Sequence, residues 1–247
     1  MNESYKTEGI IIGKKDFFES DKILTIFTKD FGKIKVKAIG VRKILAKMAG
    51  HLEMFNHVKL DLVKGRNFYI VTGAQTIESF SGLKENFEKI SILYYISEVL
   101  DRVLEEDIRH KNTFSFLLSA INRLKQENVN FSLLMAFFEL NILSILGFRP
   151  ELLFCVGCRE KIGGHSFFFS HERGGILCES CGNDDFFSSP VSPSALKLIQ
   201  LVVSKDYDDL ESAGLEDSSI KEIKKISSFF LEHILGRELK SKQFVKF

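Results

Sequence analysis

Four cysteines carry the most specific chemical signal in the sequence. They form two pairs, Cys155-Val-Gly-Cys158 and Cys178-Glu-Ser-Cys181, which are separated by nineteen residues. Each C-x-x-C turn can present two sulfurs to one tetrahedral ion, so this spacing predicts a single structural Zn²⁺ held by four thiolates. A closed four-thiolate site leaves no position for water, and we therefore expect the zinc to be structural and not catalytic.

Other ligands and other chemistry are open for the same segment. His165 and His171 lie between the cysteine pairs and either could replace a thiolate, although an exposed ribbon residue is the simpler interpretation of each. Two disulfides, a redox dithiol or an iron–sulfur cluster are further alternatives. The polar N-terminus shows no secretory signal, so we expect a cytoplasmic protein with reduced thiols, which favours the metal.

Basic residues are concentrated in the first third of the chain. Residues 29–66 hold ten basic and three acidic residues, whereas the whole chain has a formal net charge of +1. In Lys33-Ile-Lys-Val-Lys-Ala-Ile39, lysine alternates with apolar residues, which predicts a strand with Lys33, Lys35 and Lys37 on its outward face. A nucleic-acid backbone is the natural complement, because each lysine that meets a phosphate releases a counterion. The alternative is a solvated strand face. The candidate DNA-binding residues are Lys33, Lys35, Lys37, Arg42, Lys43, Lys47, Lys64 and Arg66.

Aromatic residues are interleaved with this basic region and are a weaker indication of nucleic-acid binding. Bases can stack on exposed rings. The available rings are those of Phe17, Phe18, Phe31, Phe55, Phe68 and Tyr69. The chain holds 24 Phe, so for any one of them a place in the core is the simpler interpretation.

Motifs for catalysis are missing from the sequence. There is no phosphate-binding glycine loop, no Gly-x-Ser-x-Gly elbow and no His-Glu-x-x-His. The carboxylate pairs Asp184-Asp185 and Asp208-Asp209 are interpreted as loop residues and helix caps. We therefore expect a binding protein without catalytic residues.

Hydrophobic patterning divides the chain into a strand region and a helix region. The first 80 residues alternate with period two between Gly- and Asp-containing turns, which predicts a small five-stranded barrel. The predicted strands are Thr7–Gly13, Lys22–Thr28, Lys33–Ile39, His57–Val63 and Phe68–Gln75. The OB-fold is the commonest barrel of this size, and an SH3-like barrel would give much the same pattern.

Helical spacing begins at Leu83 and continues, apart from the cysteine region, to the end of the chain. The predicted helices are 83–104, 113–125, 130–148 and 192–203, with a last one capped by Asp217-Ser218-Ser219 that ends near Gly236. Segment 131–148 is nearly long enough to cross a membrane, but Glu139 and Asn141 near its middle favour a buried central helix. We expect no membrane partner.

The predicted fold class is α+β: an N-terminal five-stranded OB-fold barrel followed by an α-helical bundle domain with an inserted zinc ribbon. The expected domains are a DNA-binding OB-fold over 1–80, a first helical part over 81–152, the ribbon over 153–183 and a second helical part over 184–247.

The sequence resembles the RecO family of bacterial recombinational-repair proteins over essentially its whole length. The segments that carry the resemblance are Glu8-Gly-Ile-Ile-Ile-Gly13, Glu19-Ser-Asp-Lys-Ile-Leu24, Gly40-Val-Arg-Lys43, Glu139-Leu-Asn-Ile-Leu143, Leu146-Gly-Phe-Arg-Pro150 and Leu235-Gly-Arg-Glu-Leu-Lys-Ser241. Among the basic residues, Arg42, Lys43 and Lys47 match the family pattern, with Lys35 and Lys37 on the preceding strand. Ala46 departs from it, because the family often has a serine there.

The resemblance implies a recombination mediator and not an enzyme. Such proteins bind single- and double-stranded DNA, anneal complementary strands, contact the C-terminal tail of single-strand binding protein, and act with RecR to load RecA. It also implies a bacterial, nucleoid-associated protein in the cytoplasm. We further expect the helical domain to offer that acidic tail an apolar groove with a basic edge.

Two other functions use the same modules. An OB-fold with a zinc ribbon also suits an RNA-binding or transcription-associated factor. A zinc-dependent nucleic-acid enzyme is the third hypothesis, and cleavage that depends on a divalent cation would favour it.

Overall fold

Five strands close into a barrel in the structure, which is a computed structural model and describes residues 4–109 and 112–245. The strands are β1 (Ser4–Phe17), β2 (Asp21–Thr28), β3 (Gly32–Ala38), β4 (His57–Lys64) and β5 (Tyr69–Glu78). Their order around the barrel is β1-β2-β3-β5-β4, with β3 and β5 parallel and β4 paired back to β1. This Greek-key order confirms the predicted five-stranded OB-fold, and each predicted strand overlaps one observed strand.

The barrel is filled by the apolar residues of the alternating pattern. Ile34, Val36 and Ala38 of β3 are each at most 1% exposed, because every second side chain of a strand points to the same face. Their buried partners include Ile11, Leu24, Ile26, Val58, Leu60, Leu62 and Val71. The alternation of β3 therefore predicted correctly which of its residues enter the core.

Three helices and a terminal turn belong to the same compact unit as the barrel, which runs to Glu127 and includes the segment from Leu239. They are α1 (Ser81–Lys84), α2 (Phe87–Val103), α3 (Thr113–Arg123) and a 3-10 helix (Lys240–Phe244). The single helix predicted from Leu83 is divided at Asn86, whose side chain accepts a hydrogen bond from the Lys89 N–H at 3.0 Å. This contact caps α2 and starts a new helix there.

The second compact unit, Asn128–Glu238, contains the predicted central helix. Its helices are α4 (Phe131–Ile145), α6 (Pro193–Val202), α7 (Tyr207–Glu211) and α8 (Asp217–Leu235). α4 packs against α6 and α8, and the Asn130 side chain caps it by accepting from the Leu133 N–H. In the part of the chain that the structure describes, no helix has the length and apolar content needed to cross a membrane.

The cysteine region of this unit forms a small sheet. Its elements are β6 (Phe167–Ser170), β7 (Gly175–Cys178), the short helix α5 (Glu179–Asn183) and β8 (Ser188–Val191). The strand order is β7-β6-β8, so β8 adds a third strand after the predicted ribbon segment. Pro190 argues against a strand at this point of the sequence. Proline is nevertheless tolerated in β8, because β8 lies at the edge of the sheet and the missing N–H of proline need not pair there.

A buried ion pair holds α4 against α8. Glu139 is fully buried, and its carboxylate lies 2.9 Å from the Lys224 ammonium. Ser228 donates to the same carboxylate at 3.3 Å, and Ser227 donates to it as well. The negative charge of Glu139, which would be costly in lipid, is thus compensated by these partners inside a protein core.

Replacing Lys224 with alanine should lower the free energy of unfolding of this unit by about 3 kcal/mol, because it leaves a buried carboxylate without its counter-charge. Denaturant unfolding followed by circular dichroism measures the effect. Lys221→Ala on an exposed position of the same helix is the matched control and should change stability by about 0.5 kcal/mol or less. Equal effects of the two substitutions would contradict the assigned role of the pair.

Candidate metal centre and nucleic-acid interface

The four cysteines come together in the second unit. Their sulfur atoms all lie within 4.8 Å of one another, and the Cys178 Sγ is 3.8 Å from the sulfurs of both Cys155 and Cys158. A tetrahedral ion with metal–sulfur bonds of about 2.3 Å separates its sulfurs by about 3.8 Å. The cysteines are free thiols and can hold one metal ion, whereas a disulfide would need sulfurs about 2.05 Å apart.

The second cysteine pair is positioned by β7 and α5, and a backbone hydrogen bond to β7 holds the first pair beside it. Cys178 ends β7 and Cys181 lies in α5, while Cys155 is held beside β7 because the Val156 N–H donates to the Ile176 carbonyl at 2.9 Å. Gly157 passes so close to the second pair that a Cβ there would lie 2.9 Å from the Cys181 Sγ. Only glycine leaves room for the two pairs to meet at this point.

The thiols strongly affect one another's ionisation. Burial opposes ionisation of Cys155, but backbone N–H groups of Cys178, Cys158 and Gly157 outweigh it and lower the pKa of this thiol to about 6. The hydrogen bond with Cys178, followed by burial and the other thiols, raises the pKa of Cys181 to about 12. The two pKa shifts are opposite because an ionised Cys155 disfavours a second negative charge on the neighbouring Cys181.

Neither histidine of the segment joins the cluster. His165 is exposed, as expected. The expectation that His171 is exposed is wrong: it is 9% exposed, and its Nε2 lies 3.0 Å from the Ser189 Oγ. Burial, followed by the charge of His233, lowers the pKa of His171 to about 4, so the neutral ring is part of the core.

The carboxylate pairs have structural roles. Asp185 accepts hydrogen bonds from the Ser170 hydroxyl and the Phe187 N–H, both at 2.9 Å. Asp208 and Asp209 lie in the first turn of α7, where negative charge favours the helix. In α8 the predicted cap is wrong in detail, because Asp217 is already helical and no side chain caps that terminus.

Lys33 does not share the exposed face predicted for β3. It is 6% exposed, and its ammonium contacts both the backbone carbonyl and the carboxylate of Asp101. The segment after α2 covers this end of the strand, since the Asp107 N–H donates to the Lys33 carbonyl at 2.9 Å. The prediction of three exposed lysines is therefore wrong at Lys33, whose charge is neutralised within the protein.

The other cations nearest to β3 also have acidic neighbours, but they remain accessible. The Lys35 ammonium is 2.5 Å from Glu106, that of Lys37 is 3.0 Å from Asp21, and the Arg42 guanidinium is 3.4 Å from Asp16. A hydrogen bond from the Gly40 N–H, followed by that of Lys37, holds the pKa of Asp21 below its usual value. These pairs fix the side chains and reduce the local positive charge.

Four predicted cations are exposed and have no acidic partner among residues 4–109 and 112–245. They are Lys43, Lys47, Lys64 and Arg66. Lys43 and Lys47 lie on the loop between β3 and β4, and Arg66 lies on the turn between β4 and β5. Because nothing within the described structure neutralises them, these four charges are the ones most open to a phosphate backbone.

Contacts join the β1–β2 turn to the β4–β5 turn and to the loop between β3 and β4. The rings of Phe17, at the end of β1, and Phe68, in the turn between β4 and β5, have centroids 6.4 Å apart. The Arg42 guanidinium donates to the Phe18 carbonyl at 3.1 Å, which ties the β3–β4 loop to the β1–β2 turn. Two aliphatic residues of that loop, Ile44 and Leu45, are 101% and 91% exposed, a feature that the sequence reasoning missed.

The first unit also contains an apolar groove of about 480 Å³ between α2 and the 3-10 helix. Phe87, Tyr94 and Phe244 line it and are 70%, 47% and 54% exposed. The Glu98 carboxylate accepts from the Ser241 N–H at 2.7 Å and thereby holds the 3-10 helix against α2. Burial raises the pKa of Glu98. Hydrogen bonds from the Ser241 side chain and from the N–H groups of Ser241 and Lys240 outweigh burial and keep this pKa below its usual value.

The sequence pattern contained a signal for this groove. Phe87, Ile90 and Tyr94 follow helical spacing, and this spacing by itself predicts only a helix. The face of α2 that enters the core is a different one, formed by Ile92, Leu93, Ile96, Val99 and Leu100. Spacing cannot distinguish a covered apolar face from an open one.

A closed Greek-key barrel whose described structure leaves several exposed cations without an acidic partner, together with a four-cysteine cluster, is typical of modular nucleic-acid-binding proteins. Comparison with known proteins identifies the family. The model for "Recombination protein O N terminal" matches residues 1–80, and that for "Recombination protein O C terminal" matches residues 84–243. The chain belongs to the RecO family of DNA repair proteins.

Individual relatives match nearly the full chain. The DNA repair protein RecO of Roseiflexus sp. (strain RS-1) is 34% identical over 241 residues, which cover 98% of this chain and 84% of that protein. The protein of the same name from Dehalococcoides mccartyi (strain ATCC BAA-2266 / KCTC 15142 / 195) is 30% identical over 96% of this chain and 93% of its own length. These matches confirm the family resemblance.

The close approach at Gly157 provides a test of the metal centre. Gly157→Ala should push the two cysteine pairs apart and speed loss of bound metal to a chelator by roughly tenfold. Gly163→Ala is the matched control, because nothing lies within 4 Å of a Cβ at that position. Elemental analysis and a colorimetric chelator measure metal content and release, and equal release from both variants would show that the observed packing of the pairs is not what retains the ion.

Proposed function

We propose that this protein is a recombination mediator in DNA repair that binds single- and double-stranded DNA and anneals complementary strands. It acts with RecR and single-strand binding protein to load RecA, at the nucleoid in the bacterial cytoplasm. The observation that carries the proposal is the set of exposed cations that have no acidic partner among the described residues, on a chain of the RecO family. No bond is made or broken in this mechanism.

Phosphate contacts suit a protein that must act on any sequence. Salt bridges to the backbone fix the position of a strand but carry no information about its bases. Lys43, Lys47, Lys64 and Arg66 supply these contacts, with Lys35, Lys37 and Arg42 at the edge of the same region. We do not include Lys33, because Asp101 already occupies its ammonium.

We infer that the metal is one structural zinc ion held by Cys155, Cys158, Cys178 and Cys181. Four thiolates at tetrahedral spacing are the preferred donor set of Zn²⁺, and they leave no position for a catalytic water. The zinc ties the turn at Cys155 to β7 and α5, so its role is to stabilise this small sheet. Such a closed site disfavours the alternative of a zinc-dependent nuclease.

We further propose that the groove between α2 and the 3-10 helix binds the acidic C-terminal tail of single-strand binding protein. Its lining is almost wholly apolar, and Lys240 stands at its edge. The one acidic lining residue, Glu98, is engaged by the backbone of the 3-10 helix and by Arg102, so it does not repel an acidic ligand. An apolar anchor with a cationic rim gives a weak and exchangeable contact.

The DNA-binding proposal predicts the salt dependence of a variant. Replacing Lys43, Lys47, Lys64 and Arg66 with alanine should weaken binding to all sequences alike and reduce the salt slope on single strands by about 0.7 for each phosphate that is no longer neutralised. Fluorescence anisotropy at a series of salt concentrations measures the slope. The charge-matched control replaces four exposed lysines of the second unit, Lys161, Lys197, Lys205 and Lys221.

The control variant has the same net charge as the test variant and should keep a slope closer to that of the wild type. If the slope falls equally in both variants, binding follows overall charge and the barrel is not the interface. If neither slope changes, the four cations form only a solvated face.

The groove proposal predicts micromolar binding of the tail peptide, on the order of −8 kcal/mol, that weakens as salt rises. Phe244→Ser combined with Lys240→Glu should abolish it, because the first removes an apolar wall and the second reverses the rim charge. Phe148→Ser, at a Phe that is also exposed but lies in the other unit, is the control. Calorimetric titration that finds no binding to the wild type at low salt would refute the proposed site.

A further inference from the structure

The turn between β1 and β2 displays an aromatic pair that the barrel core does not use. Phe18 is 76% exposed and adopts a φ of +52°, a left-handed conformation that is unfavourable for a bulky side chain. Its ring meets that of Phe17 edge to face, with centroids 4.3 Å apart and an interplanar angle of 64°. An exposed ring held in a strained backbone needs an explanation other than packing.

A third ring and a cation complete this surface. Phe68, from the turn between β4 and β5, lies against Phe17 with a centroid distance of 6.4 Å. The Lys37 ammonium is 5.1 Å from the Phe17 ring centroid and 5.7 Å from that of Phe18. We call Phe17, Phe18 and Phe68 the aromatic platform.

Charge around the platform points to an anionic ligand that also carries flat rings. Arg66 is two residues from Phe68, and the Arg42 guanidinium donates to the Phe18 carbonyl at 3.1 Å. Lys64 precedes the same turn and has no acidic partner among the described residues. Single-stranded nucleic acid combines these two chemistries, because its bases stack on aromatic side chains while its phosphates meet the cations.

The platform also lies where a barrel of this topology commonly receives a strand. The turn that connects β1 to β2 lies close to the turn that connects β4 to β5, since Phe17 contacts Phe68, and oligonucleotides bind OB-folds at these two connections and the adjacent strands. In a duplex the base faces are covered by their neighbours in the stack. An exposed ring therefore favours unpaired bases over paired ones.

We propose that the aromatic platform stacks an unpaired base of single-stranded DNA, with Phe18 as the principal stacking residue. This inference rests on the proposed DNA-binding function and adds the feature that distinguishes single strands from duplex. The cations bind both forms through phosphates, whereas the platform contributes only where a base is free. The protein then holds single strands more tightly than electrostatics alone would allow.

The chain contains no tryptophan, which makes a direct test possible. Phe18→Trp introduces the only indole of the protein, and its fluorescence should be quenched when oligo(dT) binds, but not when an abasic strand of equal length binds. Phe186→Trp is the matched control, because Phe186 is 99% exposed in the other unit. Its fluorescence should not respond to either strand.

A second variant measures the contribution of the platform to affinity. Phe18→Ala should bind oligo(dT) about tenfold more weakly, which corresponds to about 1.4 kcal/mol, with the salt slope unchanged. Its binding to an abasic strand and to a duplex should equal that of the wild type. Circular dichroism and the melting temperature of each variant confirm that the barrel is folded.

The outcomes separate this inference from the function on which it rests. If the wild type binds DNA but Phe18→Trp is not quenched and Phe18→Ala keeps full affinity, the platform does not stack bases, and the DNA-binding proposal survives. Equal reductions in affinity for single strand, abasic strand and duplex would likewise overturn stacking in favour of a phosphate contact. Failure of the wild type to bind any DNA overturns both proposals. Loss of binding to single-strand binding protein by Phe18→Ala, with DNA binding intact, would reassign the platform to a protein partner.

Discussion

Closure of the barrel depends on the long strand β1, which pairs with β2 on one edge and with β4 on the other. Residues 4–10 of β1 pair with β4 and residues 9–17 pair with β2, and a register shift between Ile11 and Gly13 lies within the pairing with β2. Such a bulge bends a strand, and without the bend the sheet would remain open with two unpaired edges. Closure places the β1–β2 turn beside the β4–β5 turn. The aromatic and basic side chains of these turns are therefore positioned by a backbone constraint several residues away.

In the folded barrel, some cations of the basic region have acidic partners and others do not. A buried ammonium needs a partner, and Lys33 finds Asp101, while Lys37 and Asp21 form a pair at the barrel surface. Lys43, Lys47 and Arg66 lie on connections and Lys64 ends β4, and no acidic side chain of the described structure approaches any of the four. Net charge along the sequence consequently overstates the charge available to a ligand. The residues left unpaired after folding are the better guide to a binding surface.

Two polar centres stabilise the second unit by a common principle. The carboxylate of Glu139 is buried between helices and is compensated by Lys224 and two serines. The four sulfurs of the cysteine cluster are close enough to repel one another as thiolates, and a divalent cation at their centre would compensate them in the same way. Each centre ties together segments that are distant in sequence. Removing the compensating charge in either place leaves a cost that the surrounding apolar core cannot offset.

The sequence by itself determined the features that depend on local spacing. Alternation gave the five strands and the core residues of β3, the cysteine spacing indicated one metal centre, and Asn130 and Ser192 marked helix starts where their side chains do cap. The tertiary structure decided which faces are covered. Alternation places Lys33 on the outward face of β3, but a segment seventy residues later buries it, and His171 is buried in the same unexpected way. Periodicity reports the direction of a side chain from its own backbone, whereas burial depends on contacts between residues that are distant in sequence. For this reason the open groove on α2 and the exposed ring of Phe18 became visible only in the folded structure.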